Sequence, residues 1–289
     1  MTRTLSWLFT AIALGFVMLL VGLFAWQSVP VWRHEGWQYV VGTKWFFRQQ
    51  QFGALPMIYG SLAVSLVALA VAAPLGFGAA IFTAEYLPRR ARLAVKVLIE
   101  LLAGVPSVIY GLLGILLLRD WIYDGFAPFD PLSGDTLLTA GLLLAVMILP
   151  TIVTLADDAL RSVPAAQRRA ARSLGLTRAE TILTVCLPQA RRGLGAALLL
   201  ALGRALGETI AVFLVVGRRD NFLPDRWLSP HALLEAGQTL TSKLGSSEAN
   251  IAYGDPLHWA AIVGLGLILL VLAGGITLLG ASFGRKADA

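Results

Sequence analysis

The stretch I-Y-G-S-L-A-V-S-L-V-A-L-A-V-A-A-P-L-G-F-G-A-A-I-F, residues 58–82, runs for 25 residues without a charged side chain. A helix rises about 1.5 Å per residue, so this run is long enough to cross the roughly 30 Å hydrocarbon layer of a membrane. Outward from it, comparable runs lie near 5–26, 97–118, 136–156, 194–216 and 258–280. They predict six membrane-spanning helices and an all-α integral membrane protein. Composition agrees: of 289 residues, 57% are hydrophobic and 14% charged, with mean hydropathy +0.74, whereas a typical soluble domain is about a quarter charged. Two runs are interrupted by ionisable groups, Glu100 in the third and Arg204 with Glu208 in the fifth. The first run exceeds the length of a signal-peptide core and ends in Phe24-Ala25-Trp26 without a small-x-small cleavage site, so it reads as a retained anchor. The expected organisation is an anchor and outer segment over 1–57, a transmembrane domain over 58–280 that contains a long loop at 157–193, and a tail over 281–289.

The net charge of +6 raises the question of nucleic acid, and the placement of the charges answers it. With both termini and the loops 83–96 and 157–193 on one side, that side collects 14 basic and 5 acidic residues, against 8 and 10 on the other. The positive-inside rule then puts both termini and those loops in the cytoplasm, and the basicity becomes a topology signal. Seven of the eight tryptophans, all but Trp7, fall in the outer segments, where membrane-interface anchors belong. The single cysteine, Cys186, excludes a disulfide framework and a thiolate metal cluster.

The loop D-D-A-L-R-S-V-P-A-A-Q-R-R-A-A-R-S-L-G-L-T-R-A-E-T-I-L-T-V-C-L-P, residues 157–188, carries its own folding signals. Pro164 suits a first helical turn and Gly175 the left-handed residue that ends that helix. Thr177 with Glu180 three residues on is a capping-box pattern, so a second short helix should run from about Arg178 to a stop at Pro188. A solvated basic loop obeying the positive-inside rule accounts for the charges, but the alanines at 165, 166, 170 and 171 form a small-residue face that lets another protein approach closely. We read the hairpin as a docking element.

This loop resembles the EAA loop of ABC importer permeases. The shared pattern is A-A-x3-G-x9-(I/V)-x-L-P, present as Ala170-Ala171, Gly175, Val185, Leu187 and Pro188. The resemblance implies a coupling helix seated on an ATPase subunit, with Arg169 standing where the family has Glu. F-G-A-L-P-M-I-Y-G-S (52–61), G-V-P-S-V-I-Y-G-L-L-G (104–114), M-I-L-P-T-I (147–152) and G-R-A-L-G-E-T-I-A-V (203–212) resemble the PstC-type branch, permeases of phosphate importers. The likeness runs from about residue 52 to 280. It implies a six-helix permease set in the lipid of a bacterial inner membrane, working with a second, PstA-like permease, two ATPase subunits that bind ATP and Mg, and a periplasmic phosphate-binding protein. A permease for another oxyanion such as sulfate or molybdate, or a subunit relaying phosphate status to a sensor, stays open.

Arg204 and Glu208 each cost about 2.5–3.5 kcal/mol at mid-bilayer, so they must face protein or water. Their i,i+4 spacing predicts one shared helix face and a mutual ion pair, with Gly203 and Gly207 forming a small-residue groove beside it. A buried pair that only fixes helix register accounts for the spacing, as does an anion path in which the Arg204 guanidinium clamps two phosphate oxygens. The resemblance implicates such an Arg–Glu pair in phosphate passage. Glu208 can accept a hydrogen bond from a P–OH group, which phosphate carries at neutral pH and sulfate does not. Pro106 should break the third span and leave Ser107 to restart it, either as a simple kink or as a half-helix N-terminus facing an anion. Glu100 lies near one end of its run, and its distance to Arg204 decides whether it joins the polar stripe.

There is no G-x-x-x-x-G-K-[ST], so ATP hydrolysis is assigned to a partner and the chain itself to no enzyme class, cofactor or nucleic acid. His34, His231 and His258 are too scattered for a metal site or a Ser-His protease and read as ordinary single histidines. In the 41-residue outer segment 217–257, Ser229-Pro230 through Gly245 reads as one capped amphipathic helix near the outer surface, which either packs there or meets the binding protein.

Overall fold

The computed structural model describes residues 2–224, 227 and 229–285; Arg226 and Lys286 of the charge assignment, and the tail beyond 285, lie outside them. Among the described residues, five helices are long and apolar enough to span a membrane. They are α1 (Thr4–Glu35 of a helix beginning at Thr2), α2 (Leu55–Tyr86), α5 (Leu137–Arg161), α7 (Arg178–Gly207) and α10 (Pro256–Phe283 of a helix reaching Arg285). The sixth is a bent pair, α3 (Arg89–Ala103) and α4 (Ser107–Gly125), whose axes differ by 85°. Between α5 and α7 lies α6 (Ala165–Ser173), and after α7 the short α8 (Ile210–Val215) and α9 (Leu240–Leu244). The six-span expectation holds, with two spans broken.

The core sits where α2, α5 and α7 meet. Ala68 and Ala72 of α2, Leu144, Ile148 and Ile152 of α5, and Ala201 and Ala205 of α7 are all buried in one cluster. Small residues set the spacing, because in lipid the helices associate through close van der Waals contact rather than by hiding apolar surface from water. A Cβ at Gly76 would lie 2.6 Å from the Ile152 side chain, and one at Gly141 would lie 2.5 Å from Val67. Alternating small and branched residues thus lock α2 against α5. Helix α1 runs through Pro30 to Glu35, beyond the expected end at 26, and packs on α10, where Phe24 fills the space over Gly266. Most of its remaining surface is exposed.

Among the described residues three helices contain a turn one residue wider than an α-turn, and one of these corrects a sequence expectation. In α7 the Leu187 N–H reaches back five residues to the Ile182 carbonyl. Pro188 follows at once, where the shifted register absorbs its missing N–H. The helix therefore passes through Pro188 instead of stopping there.

Candidate functional site

The third span breaks where the sequence says it should. The proline ring of Pro106 disfavours helical geometry at Val105, the chain leaves the helix after Ala103, and α4 begins at Ser107. A freed carbonyl is covered from within, since the Tyr110 hydroxyl donates to the Leu102 carbonyl at 2.9 Å. Ser107 is half-buried, while Glu100 is exposed on α3.

The fifth span breaks where the sequence predicts continuity. Glu208 has φ −72 and ψ 123, an extended conformation, so α7 ends at Gly207 and α8 restarts at Ile210. The break takes Glu208 off the α7 face that carries Arg204, so the expected i,i+4 pair does not form. Glu208 turns instead onto the new helix and accepts from the Ala211 N–H at 3.4 Å. Arg204 is exposed in the last turn of α7 and makes no ion pair within 4.0 Å among the described residues, with Glu208 or with Glu100. The expected groove is half present: a Cβ at Gly203 would meet Thr277 of α10 at 2.3 Å, while Gly207 faces open space.

The two broken spans meet through their restarted halves. A Cβ at Gly111 would lie 2.5 Å from the Leu214 side chain and 3.2 Å from the Ala211 backbone, and one at Gly114 would lie 2.8 Å from Val215. Helix α8 is therefore pressed against the first turns of α4. Non-helical backbone at membrane depth persists only where protein buries it or a polar path runs past it.

The segment after α8 also departs from expectation. Ser229 caps a helix as predicted, accepting from Ala232 N–H at 3.1 Å, but that helix ends at Leu233. The chain then runs irregularly, with Gly237 N–H donating to Val216 and Arg219 N–H donating to Gly237. A second capping box, Thr239 with Ser242, starts α9. This helix is buried: Leu240, Thr241, Ser242 and Lys243 are at most 3% exposed. Glycines conceal the insertion from helical periodicity, since Gly60 of α2 leaves room for the Gln238 carbonyl. Thr239 and Thr241 consequently share a small cavity with Ser61, Ser65 and Glu208.

Behind α9 lies an ionic cluster. The Lys243 ammonium contacts Asp220 at 2.9 and 3.0 Å and pairs with Glu248. Glu248 also accepts from the Trp45 indole at 2.6 Å and lies 2.9 Å from His258 Nε2. Burial pushes the Glu248 carboxyl up, but the Lys243 hydrogen bond and charge, with Trp45 and His258, outweigh it and hold the group below its usual 4.5. His258 is buried and stacked against Phe47 and Phe52, so it is not the ordinary single histidine the sequence suggests. Among the described residues no set of three metal-ligating side chains converges.

The hairpin keeps most of its predicted features. Helix α6 starts after Pro164, Gly175 has φ +90, and both hydrogen bonds of the Thr177–Glu180 capping box are present. Arg169 and Ala170 are exposed, Ala171 is buried, and Leu187 is half-buried beside exposed Pro188. Arg168 was not distinguished by the sequence from the other arginines of the loop. Its guanidinium pairs with Glu85 at the end of α2 and donates to the Leu160 carbonyl at the end of α5. That clamp fastens the hairpin to two spans. Leu174, 82% exposed, and Leu183, 63% exposed, leave the hairpin with uncovered apolar side chains.

A family model described as binding-protein-dependent transport system inner membrane component matches residues 72–285. The phosphate transport system permease protein PstC of Mesorhizobium japonicum is 34% identical over 277 residues, 90% of this chain and 81% of that protein. PstC 1 of Mycobacterium tuberculosis is 37% identical over 239 residues, 76% and 69% of the two chains. Among solved structures, the inward facing MetNI methionine ABC transporter gives a TM-score of 0.59 at 18% identity, covering 80% of this chain and 94% of that one. A bacterial alginate ABC transporter in complex with an alginate pentasaccharide-bound periplasmic protein gives 0.55 at 17% identity, covering 97% and 94%. At these identities the structural likenesses establish the fold.

Proposed function

The chain belongs to the inner-membrane components of binding-protein-dependent transport systems, and on that premise we propose that it forms half of the translocation path of an ATP-driven phosphate importer. The observation that carries the reading is the polar break in the fifth span. Arg204 stands there without an ion-pair partner among the described residues, one turn before Glu208. An unpaired guanidinium in a membrane span is costly unless water or a ligand reaches it, and its planar fork suits two phosphate oxygens. The relatives named as phosphate permeases support that choice of anion.

Glu208 supplies the complementary contact. A carboxylate only accepts hydrogen bonds, so it favours an oxyanion that still carries a proton. Phosphate has a P–OH to donate at neutral pH; sulfate has none. Because Glu208 accepts from a first-turn N–H of α8, this contact is linked to the position of the restarted half-span.

The reading places both termini and the hairpin in the cytoplasm, following the charge asymmetry. There the exposed face of α6, with Arg169, Ala170 and Leu174, meets an ATPase subunit, and a second PstA-like permease completes the path. A periplasmic phosphate-binding protein delivers substrate on the opposite side. ATP-driven closure of the ATPases would pull on the hairpin, and the Arg168 clamp would carry the motion into α2 and α5. The test is Glu208→Gln in the assembled transporter. Reduced phosphate uptake or admission of sulfate is expected; unchanged uptake with unchanged sulfate exclusion removes Glu208 from the path.

A further inference from the structure

The cavity beside Glu208 is walled by hydroxyls from two elements that are far apart in the chain. Ser61 and Ser65 stand one turn apart on α2, and Thr239 and Thr241 come from the inserted α9 segment. Ser61 Oγ accepts from Leu240 N–H at 2.9 Å, which joins the two walls directly. Thr239 and Thr241 Oγ1 are 3.1 Å apart, and Thr239 Oγ1 accepts from Ser242 N–H at 3.0 Å. All four residues are at most 4% exposed, and among the described residues Glu208 is the one ionisable group lining the cavity.

Four buried hydroxyls around one carboxylate are an unusual lining for an apolar bundle. A hydroxyl can donate or accept, whereas the carboxylate only accepts. An oxyanion with one protonated oxygen satisfies both: its bare oxygens take hydrogen bonds from Ser and Thr, and its P–OH donates to Glu208. A fully deprotonated oxyanion leaves Glu208 facing bare oxygens. Lys243, two residues after Thr241 in the same helix, holds α9 from behind through Asp220 and Glu248.

We propose that Ser61, Ser65, Thr239 and Thr241 form, with Glu208, the constriction that selects protonated oxyanions, and that Lys243 is a positioning residue that keeps α9 seated against it. The proposal rests on the phosphate-import reading. In this conformation the constriction is closed, with Leu240 N–H bonded to Ser61 across it. Passage requires the broken fifth span to move away from α9, and the short hinge at Glu208-Thr209 provides that freedom.

The experiment uses the complete transporter in proteoliposomes with cysteine-free partners and with the chain's own Cys186 replaced (Cys186→Ala). Ser65→Cys and Thr241→Cys are each labelled with a small thiol reagent during ATP turnover. Labelling should appear with ATP, and phosphate should slow it about tenfold while sulfate leaves it unchanged, the order expected for occupancy held by hydrogen bonds to a charged ligand. Thr241→Val should cut phosphate uptake per ATP hydrolysed by a similar factor. Lys243→Met should expose Thr241→Cys to reagent without ATP, and Lys243→Arg should restore ATP dependence. No labelling during turnover, or labelling indifferent to phosphate, overturns the proposal while wild-type uptake stands. Loss of the import reading itself would show separately, as no phosphate uptake by the wild-type complex.

Discussion

Replacing Arg168 by Met should uncouple the hairpin from the spans. The side chain is 16% exposed and its partner Glu85 is 4% exposed, so the pair is largely withdrawn from water. Removing the guanidinium strands the Glu85 carboxylate and frees the Leu160 carbonyl. Breaking a buried pair from one side costs about 3–5 kcal/mol, and the residual exposure of Arg168 argues for the lower end. About 3 kcal/mol corresponds to roughly a hundredfold rise in local opening. Hydrogen exchange of amides 165–186 in the assembled complex should accelerate by about that factor, and more ATP should be hydrolysed per phosphate moved. The double variant Arg168→Met, Glu85→Gln should recover most of the loss, because the stranded charge is gone. Exchange within about twofold of wild type, or a double variant as impaired as the single one, would refute the clamp.

Two further outcomes follow from the packing and the ionic cluster. Glu248 is held below its usual 4.5, so its stabilising contribution is fully present above about pH 4.5 and is lost as the pH falls through the lowered folded value. Trp45 fluorescence should report acid loosening of the cluster below that pH, and Glu248→Gln should remove this acid transition. Gly111→Leu would drive a side chain into Leu214 and Ala211, separating α4 from α8. It should cost about 1–3 kcal/mol in thermal unfolding of the detergent-solubilised complex and reduce uptake, whereas Gly125→Ala, which meets nothing within 4 Å, should do neither.

How much of this was legible beforehand depended on the range of the signal. The runs of 20 or so apolar residues, the Pro106 break, the Gly175 turn and the Thr177–Glu180 box are local, and each appears where the sequence places it. The break at Glu208 has no proline or glycine at the broken residue itself; it follows from Glu208 accepting from a first-turn N–H of α8 and from α8 packing on Gly111, a contact between residues about a hundred positions apart. Pro188 misled in the opposite direction, because a single wide turn just before it is enough to carry a helix through. The buried α9 was hidden by its composition: T-L-T-S-K-L looks like surface, and Lys243 is buried only because Asp220 and Glu248 reach it from elsewhere. Arg168 and Glu85, 83 positions apart, carry no mark that separates them from neighbouring charges. Short-range chemistry was readable, and partners set by tertiary packing were not.

The most direct measurement is ATP-driven phosphate uptake by proteoliposomes containing the complete transporter with Arg204→Gln. The account predicts that uptake falls to background while the complex still assembles and its binding-protein-stimulated ATP hydrolysis persists, because the anion contact is lost and the hairpin is untouched. Uptake at the wild-type rate would contradict it and place the phosphate path away from the break in the fifth span.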